Sequence, residues 1–212
     1  MNKNFSDRSL FRRSSAHGND FVLLNWHGEP IKEFSLYAEA YHCAAKKLVA
    51  EYGTTGAIRD IESTPILFLY RHSFELYLKA FVLVGSKILA LHGKLTMSPK
   101  KIFETHKLTE FLPHFEAIIS EVGWTWDMGE DGLRQKSDFV GLVREFEEID
   151  PGSFSFRYPT NKKGDAALPD RFSFNLSLFA QRIDPLLEII DGAIMGLEEL
   201  WNSAAEAAYQ ER

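Results

Sequence analysis

The stretch STPILFLYRHSFELYLKAFVLVGSKILALHG, residues 63–93, decides the fold. Ser63 and Thr64 can cap a helix, and Pro65 suits its first position, where the missing N–H would have had no partner anyway. Gly93 stands where such a helix stops. At about 100° per residue, Arg71, Glu75, Lys79 and Ser86 fall within an arc of roughly 80°. Phe68 shares that stripe, and apolar side chains fill most of the remaining circumference. A helix so apolar must be surrounded by others. It does not read as a membrane span, because Arg71, His72, Glu75 and Lys79 interrupt it, each costing about 2.5 kcal/mol or more at a bilayer centre if unpaired.

Working outward, Ile31, Phe34, Ala38, Tyr41, Ala45, Leu48 and Tyr52 recur at spacings of three and four, which predicts a preceding helix that Gly53 ends. After the central helix, the basic connection GKLTMSPKKIFET (93–105) leads to a helix over 106–122 that Pro113 kinks or divides. The glycines of GWTWDMGEDG predict a loop. A further helix follows over 133–149, stopped by Asp150-Pro151-Gly152. The period then changes, since SFSFRY and RFSFNL alternate Phe with small or polar residues around NKKGDAALPD, as a short hairpin or extended flap would. Phe179, Ile183, Leu186, Ile190, Ile194, Leu197 and Trp201 mark the last helix, with Asp184-Pro185 as a kink or a fresh start. The pattern therefore predicts an all-α, four- or five-helix up-and-down bundle with a short extended or β-hairpin-like flap before the last helix. It spans 31–212 as a single domain behind an N-terminal arm at 1–30.

Composition agrees with this reading. With 212 residues, 45% hydrophobic and 25% charged, the chain has the make-up of an ordinary globular domain. The single cysteine, Cys43, excludes an internal disulfide framework and a multi-cysteine zinc site, fits a reducing compartment, and is expected to be a small buried packing residue. MNKNFSDRSLFRRSSAH holds no apolar run of secretory-signal length, which predicts a cytoplasmic protein. A formal net charge of −6 argues against a surface coated for nucleic acid, though a local basic patch fits within an acidic whole. The sequence has no HExxH, no paired CxxC, no phosphate loop ending in Lys-Ser or Lys-Thr and no GxSxG elbow, so no metal or cofactor is expected.

RHSFELYLKAFVLVG, followed by THKLTEFLPHF and much later by FRYPT, resembles the HEPN (higher eukaryotes and prokaryotes nucleotide-binding) domain family. In that family an alanine or serine, x, glutamate, three residues, lysine, alanine pattern precedes His-x-Leu, and an Arg-Tyr-Pro element opens the way to the last helix. The matching positions are Ser73, Glu75, Lys79, Ala80, His106, Leu108, Arg157, Tyr158 and Pro159. The resemblance covers roughly residues 63–201, and it implies a bundle of four or five helices that dimerises so that polar residues of both protomers line a cleft. Many members are metal-independent ribonucleases in toxin, defence or RNA-processing systems; others pair with minimal nucleotidyltransferases or are non-catalytic binding modules. The nuclease members carry an Arg, four to six residues, His motif near the last helix. Here the last histidine is His114, so none follows Arg157. The same spacing does occur at Arg12 and His17, but random placement of arginine and histidine in this chain yields it about once.

Under the resemblance the chain is a homodimeric module acting on RNA or an RNA-linked complex, as a metal-independent ribonuclease with Arg71, His72, Glu75 and Arg157 at the cleft. The residue types fit: a cation for phosphate, an imidazole for proton transfer and a carboxylate to orient it. The alternative is that Arg71, Glu75 and Lys79 form an i, i+4 ladder at a helix seam, each pair worth about 0.2 to 0.5 kcal/mol on an exposed helix. Pro159 restricts Tyr158 to an extended backbone, so Arg157 either grips phosphate or bridges to Glu75. Lys79, Lys100 and Lys101 are candidate nucleic-acid contacts, with Lys94, Lys107, His92 and His106 nearby, although such a cluster equally suits a solvated loop. His106 reads as a helix-start residue. The missing histidine favours a second class of function, a non-catalytic module that holds a nucleotide or a partner protein through the same cleft or the Phe-rich flap at 153–176.

Overall fold

The computed structural model describes residues 33–55, 60–94, 96–130, 132–168 and 173–210. The arm expected at 1–30, with Arg12 and His17, lies outside them. The described residues form an all-α helical bundle of α1 (Glu33–Thr55), α2 (Asp60–Leu91), α3 (Pro99–Glu104), a 3-10 turn (Leu108–Phe111), α4 (Leu112–Glu121), α5 (Lys136–Ile149) and α6 (Leu176–Gln210). None of these helices is long and apolar enough to cross a membrane.

Helix α2 is the axis of the bundle and packs against α1, α3, α4, α6 and the 3-10 turn. Its apolar circumference explains why: from Ile66 to Gly85 only Phe68, Leu69 and His72 escape full burial. The helix begins at Asp60, ahead of the expected Ser63–Thr64 cap, so Pro65 lies inside it. It ends as expected. Gly93 adopts φ +66°, and the Lys94 amide donates back to the Leu89 carbonyl at 3.0 Å, a closure that needs the left-handed conformation glycine accepts without strain.

Aromatic side chains fill the space between helices. Phe81 stacks on Phe115 at 3.9 Å and Phe115 on Phe139 at 4.5 Å, joining α2, α4 and α5. Phe74 meets Phe146 edge-on at 5.7 Å, and Phe146 meets Phe179 at the same distance, which carries the core to α6. Such offset and edge-on pairs are the favoured geometries, worth about 0.5–1.5 kcal/mol each beyond the area they bury. Helix α4 crosses α2 at Gly85, where a Cβ would stand 2.5 Å from Ile118 Cδ1. Next to Pro185 in α6, the Asp184 Oδ1 receives Tyr70 Oη at 3.0 Å and lies 2.8 Å from His42 Nε2, tying α1, α2 and α6 together.

Several local expectations change. The connection 93–105 contains α3, with Ser98 as its cap accepting from the Lys101 amide and Pro99 in its first turn. The helix expected over 106–122 is divided, a 3-10 turn giving way to α4 at Pro113. The helix expected from residue 133 starts at Lys136, where Gln135 and Asp138 form a reciprocal capping box. Cys43 is exposed, not buried, because α1 packs through the neighbouring positions Ala38, His42 and Ala45. Among the described residues the flap forms turns and one isolated antiparallel bridge, Thr160 to Ala166, around a loop organised by the Asn161 side chain.

Candidate functional site

The polar stripe of α2 turns inward. Arg71, Glu75 and Lys79 are 0%, 1% and 4% exposed, a burial that charged groups tolerate only when paired. Arg71 Nη1 donates to Glu75 Oε2 at 3.2 Å, and Nη2 donates to the His106 carbonyl at 2.7 Å. Lys79 Nζ stands 2.9 Å from Glu75 Oε1 and donates to the Phe103 carbonyl at 3.3 Å. The His106 ring completes the set, with Nδ1 2.9 Å from the same Oε1. Glu147 of α5 accepts the Leu108 amide at 2.7 Å and lies 4.0 Å from Arg71 Nη2. The segment between α3 and the 3-10 turn is thus stitched to α2 and α5.

Burial pulls the Glu75 carboxyl upward, but the Lys79 charge and hydrogen bond, Arg71 and His106 outweigh it and hold Glu75 below the ordinary carboxylate value. For Arg71 burial wins, and its pKa is lowered despite the charges of Glu75, Asp150 and Glu147.

One end of this network reaches the surface. The His106 side chain is 58% exposed, so its ring projects outward from a buried carboxylate. His72 is half-buried, stacked on Phe68 at 5.5 Å and met edge-on by Tyr41 at 4.6 Å. Burial lowers its pKa, Glu75 opposes that shift, and the positive charges of Lys79, Arg71 and Arg157 reinforce it. Arg157 lies close enough for its charge to act on His72. Its Nε donates to the Ser153 carbonyl at 2.6 Å and its guanidinium sits 5.7 Å from the Tyr158 ring. The turn that aims it is built by buried Asp150, whose Oδ1 accepts the Phe154 and Ser155 amides, and by Ser153 at φ 61°, rare for a non-glycine.

Of the residues singled out from the sequence, Arg71 and Lys79 are each brought into contact with Glu75, with His72 next along the helix; Arg157 is linked to them only through the effect of its charge on His72. Lys79 faces the interior. Lys100 and Lys101 are exposed on α3, Lys101 bonded to Glu110 at 2.8 Å and Lys100 3.9 Å from Glu104. The Glu75 carboxylate is taken by Arg71, Lys79 and His106, and the described contacts of Arg157 are with Ser153 and Tyr158 rather than with Glu75. Sequence reasoning missed His106 as the partner of Glu75, and Asp150 as the organiser of the Arg157 turn. His106 opens the His-x-Leu element, which was the available signal; Asp150 read only as a helix stop. Among the described residues no group of three or more His, Cys, Asp or Glu is arranged to hold a metal ion.

A second feature lies between α2, α5 and α6: a cavity of about 340 Å³ lined by Leu67, Phe146, Phe156, Phe174, Phe179 and Arg182, among others. Its walls are chiefly apolar, with the Arg182 cation as one charged element.

Compared with protein-family models, curated proteins and solved structures, the chain finds no match.

Proposed function

We propose that this chain is a HEPN-like helical module that acts on RNA or an RNA-linked complex as a homodimer, cleaving RNA without a metal ion in a toxin or defence setting. What supports the reading is the direct contact between two motif pieces far apart in the chain, with the charge of a third, Arg157, felt at His72. Arg71 and Glu75 hold the backbone and ring of His106, and Arg157 lies near enough to influence His72. In this reading buried Arg71 and Glu75 are positioning residues, while His72 and Arg157 approach the substrate. Lys100 and Lys101 add exposed charge that strengthens phosphate binding at low salt. The test is incubation of the pure protein with a mixed tRNA pool in a metal chelator. Cleavage lost in His72→Ala and Arg157→Ala is the expected result. No cleavage, or cleavage surviving in both variants, refutes the nuclease.

Two observations favour a non-catalytic second reading, in which the module holds a nucleotide or a partner such as a minimal nucleotidyltransferase. Arg71, Glu75 and Lys79 are consumed by one another, and the cavity beside the Phe-rich flap has the size and apolar walls of a ligand pocket. Native mass spectrometry of the purified dimer separates the two: a retained nucleotide or partner protein, with no RNA cleavage, selects the binding module.

A further inference from the structure

We propose that His106, oriented by the buried Glu75 carboxylate, is the general base of the site, acting on a hydroxyl of an RNA substrate; the inference rests on the RNA reading above. An ionised carboxylate only accepts hydrogen bonds, so the 2.9 Å contact requires the His106 Nδ1 to carry the proton. In the neutral imidazole Nε2 is then the nitrogen with a free lone pair, and it has no protein partner among the described residues. Glu75 holds the ring through Nδ1, and Arg71 holds the backbone that carries it through the His106 carbonyl. Arg71 and Lys79 keep Glu75 charged at its buried position. A surface imidazole in this setting is held in one tautomer and one direction, the arrangement by which a buried carboxylate readies a histidine for proton abstraction. A purely structural ion pair at this place would not need an aromatic base with its second nitrogen outward; a lysine or arginine would close the network as well.

The step balances without a cofactor. Nε2 takes the proton of a ribose 2′-hydroxyl as the 2′-oxygen bonds to the adjacent phosphorus and the bond from phosphorus to O5′ breaks. O5′ takes a proton from water, and the His106 imidazolium returns its own proton to the hydroxide so formed. Arg157 and Lys107, both exposed, are candidates to offset phosphate charge.

The test compares wild type, His106→Gly and His106→Gln on a mixed tRNA pool, with binding followed by fluorescence anisotropy and folding by circular dichroism. Both variants should fold and bind, and cleavage should fall at least about a hundredfold, the usual effect of losing a general base. Imidazole added to the buffer should restore cleavage in His106→Gly and leave Arg157→Ala inactive, which a structural role for His106 does not produce. Cleavage at the wild-type rate by either folded variant overturns the inference while the RNA reading stands. Loss of cleavage in His106→Gly with no imidazole rescue also overturns it. A wild-type protein that cleaves no RNA removes both.

Discussion

Arg71→Met tests whether the charge network is structural before any chemistry is considered. Methionine matches the reach of the arginine stem but cannot donate, so the substitution removes the bonds to Glu75 Oε2 and to the His106 carbonyl at a position that is 0% exposed. Breaking a buried pair by deleting one partner costs about 3–5 kcal/mol. Glu75 retains Lys79 and His106, which places this case at the lower end, about 3 kcal/mol. For a chain of this size each kcal/mol moves Tm by about 2–4 °C, so the midpoint should fall by roughly 6–12 °C. Calorimetry at pH 7 reads this directly. The triple variant Arg71→Met, Glu75→Leu, Lys79→Met removes all three charges together with their desolvation cost, and should recover part of the loss. A loss below about 0.5 kcal/mol for the single variant, the range of ordinary surface substitutions, would refute the description of Arg71 as a buried, paired cation.

Two further outcomes follow from the packing and the ionisable groups. Gly85→Ala gains about 1 kcal/mol of helix propensity, but its Cβ would lie 2.5–2.7 Å from three atoms of buried Ile118, and overpacking costs about 1–3 kcal/mol; urea titration should show net destabilisation that Ile118→Ala relieves non-additively, and simple additivity would count against the close crossing. Stability should fall in two acid stages: burial holds His72 below its ordinary value, so the unfolded chain binds its proton first and stability drops as pH falls below about 6.5. Glu75, held below the carboxylate range, contributes stability that is lost as pH falls through its folded value. His114, also lowered by burial, adds to the upper stage with the same sign. His72→Phe, which fits between Phe68 and Tyr41, should shrink that stage, and an unchanged profile would show that His72 does not carry it.

What the sequence made legible is what repeats along one element. Helices α1, α2 and α6 each run for many turns, so their three-four spacing accumulates, and the apolar circumference of α2 correctly requires neighbours on every side. Helix α3 spans six residues and buries Ile102, too short a run for any period to register; only its Ser98-Pro99 start carried a local signal. The flap misleads for a related reason. Phe154 and Phe156 alternate as a strand would, yet Gly152 and Ser153 both hold positive φ and Asp150 accepts the next amides, so the chain turns instead. The polar stripe shows the same limit in the candidate site. Periodicity places Arg71, Glu75 and Lys79 on one face, but the direction of that face depends on partners it cannot see: the Phe103 carbonyl, the His106 ring and the 3-10 turn held by Glu147. An i, i+4 ladder on a solvated helix and the floor of a site have the same spacing; they differ in whether a distant segment closes over the charges. Here it closes, and the group it leaves at the surface is His106, which the sequence offered as a helix-start residue. A histidine after Arg157 is not needed if the site takes its base from the segment that covers Glu75. Cleavage by His106→Gly at the wild-type rate would leave His72 as the imidazole of the site.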